Sequence, residues 1–305
     1  MFKKKRSLVL EPLSLQKQEK QEKEQEQEQE HYKYQIQQLV TNIKSKKKHI
    51  QTLENFINVS KKEKEKCTIG KGASSIVYKY KEFAVKYCRN NKYFLPELRC
   101  LSILPKSNYI ISLLAFKIIN AYECYLMFPY YPISLETEIL EKSDLLRTNR
   151  TKWEVQLFRG LWLLHQHNIY HRDIKPANIM INTDNNIVFV DFGIAEFDIK
   201  SFIKKGTVSH ISNEHKRCNS SQKTPSYIRR CKIWHDMYAT AITIYEMYAE
   251  QKYKGYLYES FLPDVVKKLP NIVVSILTDV DTGQKLSKRI KHRRSQKNTH
   301  LSLKL

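Results

Sequence analysis

The sequence has few residues that break regular structure and no long apolar run. Of its 305 residues 7 are Gly and 9 are Pro, while 41% are hydrophobic, which argues against wholesale disorder and against a linker-like polymer. No stretch approaches about eighteen consecutive apolar residues, and the short apolar run near the start is broken by Glu11 and Pro12. We therefore expect no membrane span and no signal peptide, and an intracellular protein, cytoplasmic or nuclear.

A metal-binding or disulfide pattern is also missing. No two of the six cysteines form a CxxC pair, so neither a zinc site nor a disulfide framework is indicated and a reducing compartment is expected. The cysteines are Cys67, Cys88, Cys100, Cys124, Cys218 and Cys231.

Acidic residues are outnumbered by basic ones, 31 against 53, which gives a formal net charge of +22. This excess favours acidic partners such as an acidic protein substrate, nucleic acid or an anionic membrane surface. Compositional bias towards lysine explains the charge equally well. A basic tail at 291–305 fits nucleic-acid binding, which nothing in the sequence proves, or a solvated end.

Two segments precede the main domain. Residues 1–30 are low-complexity and rich in Gln, Glu and Lys, and we expect them to be disordered. Residues 31–60 are predicted to be helical, because apolar residues recur at heptad spacing, interrupted by Lys46. Either a short coiled coil joins two copies weakly through 31–58, or the helix packs on its own chain. The apolar positions are Ile36, Leu39, Ile43, Ile50, Leu53 and Ile57.

The pattern changes in the segment 64–290, which we interpret as one domain. Short alternating runs at 67–80 and 82–88 predict strands of an antiparallel sheet. Apolar residues at three- and four-residue spacings at 152–167 and 236–248 predict buried helices. Strands first and helices later indicate an α+β protein with two lobes.

Two motifs carry a family resemblance. HRDIKPANIM at 171–180, followed by VFVDFG at 188–193, resembles the catalytic loop and metal-binding turn of eukaryotic protein kinases of the serine/threonine type. The resemblance implies a small antiparallel β-sheet N-lobe, a mainly helical C-lobe, and transfer of the γ-phosphate of ATP, with Mg²⁺, to protein hydroxyls. Asp173 would be the base and Lys175 would assist the phosphoryl group, while Asn178 and Asp191 would bind the metal.

A glycine-rich segment precedes these motifs in the order of the family. In IGKGASSIV, at 69–77, Gly70 and Gly72 would let backbone amides approach the ATP phosphates, while Ser75 replaces the third glycine. Lys86 in FAVK resembles the phosphate-binding lysine, and Glu97 is its expected carboxylate partner.

Further residues follow from the resemblance. Pro96 before Glu97 suggests a shortened helix. Phe128 is assigned as the apolar residue at the rear of the adenine pocket. The residues expected to sandwich adenine are Ile69, Val77, Ala84 and Met180.

The segment GTVSHISNEH, at 206–215, resembles the end of a kinase activation segment, which places Thr207 near Asp173. Glu214 would be a buried acid paired with Lys285, and Asp236 would support the catalytic loop. The connection between Glu214 and Asp236 is rich in turn residues and is interpreted as a solvated loop.

Arg172 suggests control by phosphorylation of the activation segment, with Ser201 as the nearest acceptor. Three other functions remain open from the sequence: a pseudokinase scaffold, a kinase for small molecules or lipids, and a coiled-coil adaptor.

Overall fold

The computed structural model describes residues 34, 39, 43, 45–72, 74–197, 206–211, 224–253 and 261–278. A small antiparallel β-sheet N-lobe precedes a mainly helical C-lobe, so the predicted two-lobed α+β fold is confirmed. The predictions for Ser201, Glu214 and Lys285, and those for 1–30 and 291–305, lie outside the described residues.

The N-lobe is a five-stranded antiparallel sheet in the order β1-β2-β3-β5-β4. Its strands are β1 Thr68–Lys71, β2 Ser75–Tyr80, β3 Phe83–Cys88, β4 Ala115–Ile118 and β5 Cys124–Pro129. Lys81, with a positive φ of 55°, begins the two-residue turn between β2 and β3. Because side chains alternate along β3, Ala84 and Cys88 join the main core while Phe83 and Val85 face the other side.

The helices are α1 Lys47–Ile57, α2 Lys61–Lys66, α3 Asn91–Ile103, α4 Leu135–Glu141, α5 Asp144–Gln166, α6 Pro225–Ala249, α7 Pro263–Val266 and α8 Asn271–Thr278. A second sheet, in the order β6-β7-β8, consists of β6 Ile133–Ser134, β7 Ile179–Ile181 and β8 Ile187–Phe189. Trp153 of α5 and Tyr245 of α6 are buried in the main core. None of the helices that the structure describes is long and apolar enough to cross a membrane.

Helix α1 covers the outer face of the N-lobe sheet. Leu53 and Phe56 are buried against a cluster that includes Val85 and Met127, whereas Ile50 of the apolar seam is 39% exposed. The sequence left open whether this helix packs on its own chain, and over α1 it does. Self-association through 31–58 stays a prediction, because part of that range lies outside the described residues.

Helix α3 does not begin at Pro96. Asn90 is the N-cap, its side-chain oxygen accepting from Lys92 N at 2.9 Å, so Pro96 lies inside a helix of 13 residues. The prediction of a shortened helix was therefore wrong. Proline removes one backbone donor from a helix, but burial of Phe94 and Leu98 on either side of it keeps the helix packed.

Helix α6 begins eleven residues before Asp236, inside the segment interpreted as a loop. Thr224 caps it by accepting from Tyr227 N at 3.4 Å, and Pro225 occupies the first turn, where proline is tolerated. Ile228 is buried. The loop interpretation was therefore wrong for the residues from Pro225 onward, because Thr-Pro marks a helix start here.

Gly160 of α5 allows close packing against β8. A Cβ added there would lie 2.4 Å from Cε2 of Phe189, which leaves no room for a methyl group. We expect Gly160→Ala to lower the free energy of unfolding by about 1–3 kcal/mol. Urea denaturation measures this, with Trp162→Ala, at a 62% exposed position of the same helix, as the control. Equal losses in both variants would contradict the packing argument.

Candidate active site

Lys86 links the N-lobe to the C-lobe. Its Nζ lies 2.7 Å from Oε2 of Glu97 in α3 and 2.8 Å from Oδ1 of Asp191, which follows β8. The register of the sheet places Lys86 opposite Val77 and Leu126. The predicted Lys86–Glu97 pair is therefore present, and the Asp191 carboxylate joins it.

The charges of this cluster stabilise one another. The attraction of Lys86 lowers the pKa of Asp191 to about 2, although burial acts in the opposite direction. Burial by itself lowers the pKa of Lys86, but Asp191 and Glu97 outweigh it and hold that pKa above its ordinary value. At neutral pH an ammonium group and a carboxylate thus meet at the junction of the lobes.

Asp173 is surrounded by three hydrogen-bonding side chains. Oδ1 accepts from Thr207 Oγ1 at 2.6 Å and from Thr207 N at 3.0 Å, while Oδ2 accepts from Asn178 Nδ2 at 2.9 Å. Lys175 Nζ lies 2.9 Å from Oδ2 of Asp173 and donates to Thr207 Oγ1 at 2.9 Å. Burial raises the pKa of Asp173, but the bonds from Thr207 and Lys175 outweigh it, so the pKa is lowered and Asp173 stays ionised.

The side chain of Asp236 in α6 holds the backbone at 171–172 in place. This fully buried carboxylate accepts from His171 N at 2.9 Å and from Arg172 N at 2.8 Å, as the resemblance implied. His165 Nε2 lies 3.0 Å from the same carboxylate, a contact that the sequence did not suggest. Asp236 thereby sets the position of the peptide that precedes Asp173.

The turn at Asp191 is held by an aromatic contact. Phe192 is fully buried, and its ring centroid lies 4.8 Å from that of His171. Asp191 has a positive φ of 63°, and Gly193 N donates to its Oδ1 at 3.4 Å. Packing of Phe192 therefore helps to present the Asp191 carboxylate to Lys86.

Gly206 brings the described part of the activation segment onto the catalytic loop. Its φ is +126°, and a Cβ there would lie 2.5 Å from the carbonyl oxygen of Arg172. Both the backbone conformation and the close approach favour glycine. The next residue, Thr207, can then reach Asp173.

If Asp173 acts as the base that the resemblance implies, we expect Gly206→Ala to lower kcat about tenfold or more, because the added methyl group must push Thr207 away from Asp173. Steady-state kinetics on the full chain would measure the effect. Ser209→Ala, three residues further along the same segment, is the matched control and should stay close to wild type. Normal kcat in Gly206→Ala would contradict the proposed role of the close approach.

The glycine-rich segment forms the end of β1 and the start of β2. Gly72 N donates to Ser75 O at 2.8 Å, and a Cβ on Gly72 would lie 3.5 Å from Ser75 Oγ. Near Gly70 the closest atom to an added Cβ is Val77 Cβ at 3.8 Å. The predicted strands are present on either side of Gly72, with β1 ending at Lys71 and Ser75 beginning β2.

The residues assigned to the adenine pocket are distributed over both sheets. Ala84 of β3 pairs with Phe128 of β5, while Met180 lies in β7 and pairs with Ser134 and Val188. Phe128 is buried, whereas Ile69 in β1 is 50% exposed. The strand pairings bring together Ala84 and Phe128, and Val77 and Lys86. Among the described strands, no pairing joins Ile69 or Met180 to Val77, Ala84 or Phe128.

Two charged residues that the sequence analysis missed, Glu196 and Lys232, form an ionic cluster with Arg172. Glu196 follows the turn at Asp191, and its carboxylate contacts Arg172 and the fully buried Lys232 of α6. A lysine among the apolar residues of a buried helix was the available signal, since buried charges in proteins are paired.

Comparison with known proteins identifies the family. The sequence model described as "Protein kinase domain" matches residues 63–256, well over half of the chain. The chain therefore belongs to the protein kinase family, and the resemblance drawn from its motifs is confirmed.

One curated relative illustrates a match over a shorter stretch. A segment of 73 residues is 44% identical to the cell division control protein 2 homolog 3 of Trypanosoma brucei brucei. The match covers 23% of this chain and 23% of that protein, so the chain spans about a quarter of the length of this relative.

Proposed function

We propose that the chain is an active serine/threonine protein kinase that transfers the γ-phosphate of Mg-ATP to protein hydroxyl groups. The observation that supports this most directly is the ionised Asp173, which lies within hydrogen-bond distance of Thr207, Asn178 and Lys175. A carboxylate in such a place can orient a substrate hydroxyl and accept its proton.

Each polar group of the cluster then has a role. Asp173 accepts the proton of the attacking hydroxyl at a carboxylate oxygen. Lys175 contributes positive charge beside it, where charge on the transferred phosphoryl group develops. Thr207 holds Asp173 through two hydrogen bonds. Lys86, fixed by Glu97, supplies a second cation for the phosphates.

The donor set fits Mg-ATP. Asn178 and Asp191 offer amide and carboxylate oxygens, the ligands that Mg²⁺ prefers, and the Asp191 side chain is 49% exposed and so accessible. Asn178 donates to Asp173 through Nδ2, which leaves its Oδ1 to bind a metal. When bound, Mg²⁺ would neutralise charge on the phosphate oxygens of ATP.

The serine/threonine specificity rests on Lys175, which stands two residues after Asp173 as in kinases of that type. The net charge of +22 favours an acidic protein substrate.

A weak homodimer through 31–58 and nucleic-acid binding by the basic tail remain predictions. Sedimentation across the micromolar range would test the predicted dimer. A strictly monomeric profile would rule out self-association.

The test is transfer of labelled γ-phosphate from Mg-ATP to acidic, basic and proline-directed peptide pools that contain Ser, Thr or Tyr. We expect label on Ser and Thr peptides with the wild-type chain and a loss of it in Asp191→Asn. Label confined to Tyr would reject the serine/threonine assignment. If the wild type transfers no more label than Asp191→Asn does, the proposal of an active enzyme is rejected, and a pseudokinase or a coiled-coil adaptor is favoured.

A further inference from the structure

Glu196 is held firmly in place by the chain itself. Its backbone N donates to Tyr170 O at 2.9 Å, and Tyr170 N donates to Glu196 O at 3.0 Å. This two-way pairing fixes Glu196 beside the residues that lead into the catalytic loop. Its side chain then extends between two cations, with Oε1 3.2 Å from Arg172 and Oε2 2.8 Å from Lys232.

Both cations lie in the interior. Arg172 is 2% exposed and Lys232 is 0% exposed. Burial lowers the pKa of Arg172, while the carboxylates of Glu196 and Asp236 counteract that effect. A charge out of water is costly unless an opposite charge contacts it. Glu196 therefore offsets part of the cost of burying these two cations.

The position of Arg172 bears directly on the reactive group. Arg172 immediately precedes Asp173, and its backbone N donates to Asp236. Its carbonyl oxygen lies 3.0 Å from His235 Nε2 and is the atom that Gly206 approaches closely. A shift of Arg172 would therefore move Asp173 and the contact that brings Thr207 to it.

An arginine in this position can pair with a phosphoryl group added to an activation segment, and that pairing orders the segment. In this chain a permanent carboxylate, from a residue that follows the metal-binding turn, already contacts the guanidinium group. Because Glu196 carries its charge without any modification, the contact exists in the newly folded chain.

We propose that Glu196 is a positioning residue that acts on Asp173 through Arg172, so that the chain is active without phosphorylation. The inference rests on the proposed kinase function. It replaces the expectation that phosphorylation near Ser201 controls activity. The proposed role of Glu196 also explains why Lys232 is buried, because Lys232 contacts the second oxygen of the Glu196 carboxylate.

The experiment compares the full-length wild type before and after phosphatase treatment, with mass spectrometry to verify that phosphate is absent. Beside it stand Glu196→Gln, Glu196→Asp and the control Glu250→Gln. The control is matched, because Glu250 also contacts two cations, Arg147 at 3.0 Å and Arg150 at 2.9 Å, at the junction of α5 and α6. Melting temperatures show whether each variant is folded during the assay.

We expect dephosphorylated wild type to keep its kcat within about twofold. Glu196→Gln should lower kcat by about 10- to 100-fold with little change in KM for ATP, since displacement of a reacting group affects the chemical step. Glu196→Asp keeps the charge on a shorter side chain, so its kcat should lie between those of the wild type and Glu196→Gln. Glu196→Asp also provides the test if Glu196→Gln does not fold. Glu250→Gln should leave kcat unchanged.

Three outcomes would overturn the inference while leaving the kinase function intact. These are a loss of activity on phosphatase treatment, normal kcat in Glu196→Gln, and an equal loss of kcat in Glu250→Gln. Complete absence of transfer by the wild type, with or without phosphate, is a different result, because it rejects the proposed function and this inference with it.

Discussion

Replacing Asp173 with asparagine is expected to lower kcat by about 10²- to 10⁴-fold, the usual contribution of a positioned proton acceptor. Asparagine has nearly the shape of aspartate but cannot take up the proton of the substrate hydroxyl. KM for ATP should change little, because Lys86, Glu97 and Asp191 are untouched. Steady-state kinetics with the best peptide from the transfer assay would measure both constants.

Asp184→Asn is the matched control for this variant. The same substitution is made there at an exposed turn between β7 and β8. Its kcat should equal that of the wild type. If Asp173→Asn retains most of its kcat, Asp173 is not the proton acceptor, and the catalytic assignment made from the HRD motif is incorrect.

Replacing Phe56 with alanine is expected to lower the free energy of unfolding by about 3–5 kcal/mol, the usual cost of emptying a fully buried aromatic site. The Phe56 ring lies 5.3 Å from that of Tyr78 and 5.2 Å from that of Tyr80, centroid to centroid. The substitution would remove these contacts and leave a cavity between α1 and the sheet. Chemical denaturation followed by circular dichroism measures the loss.

Ile50→Ala provides the comparison within the same helix. Ile50 is 39% exposed, so its replacement should change the free energy of unfolding by about 0.5 kcal/mol or less. Equal losses in the two variants would mean that α1 does not pack as described. Ile50 belongs to the predicted coiled-coil seam, so a weaker dimer in Ile50→Ala with unchanged stability would favour self-association.

The sequence was sufficient for the residues that lie in short motifs. The motifs singled out Lys86, Asp173, Asn178 and Asp191, and the structure brings Lys86 to Asp191 and Asn178 to Asp173. The catalytic and metal-binding roles of these residues stay predictions. Strands β1 to β3 were found because alternation of apolar residues directly reflects the pleat. The resemblance of 206–215 to the end of a kinase activation segment placed Thr207 near Asp173, and the structure confirms that contact.

Other features depend on contacts between distant parts of the chain. Nothing local distinguishes Glu196 from a surface glutamate, because its partner Lys232 is supplied by helix α6, which lies far along the chain. The heptad pattern of 31–60 left open whether the helix pairs with a second copy or packs on its own chain. The stripe that contacts the sheet includes Phe56, which is outside the heptad seam. Around Pro96, burial of neighbouring residues outweighed a local preference to end the helix.

The contact between Lys86 and Asp191 also has a kinetic consequence. These residues are 105 positions apart in the sequence, whereas strands β1, β2 and β3 pair with their neighbours along the chain. Closing a long loop costs more conformational entropy than closing a short one, and distant contacts slow folding. We therefore expect the sheet to form early and the junction of the lobes late, so that the contact between Lys86 and Asp191 reports the completion of folding.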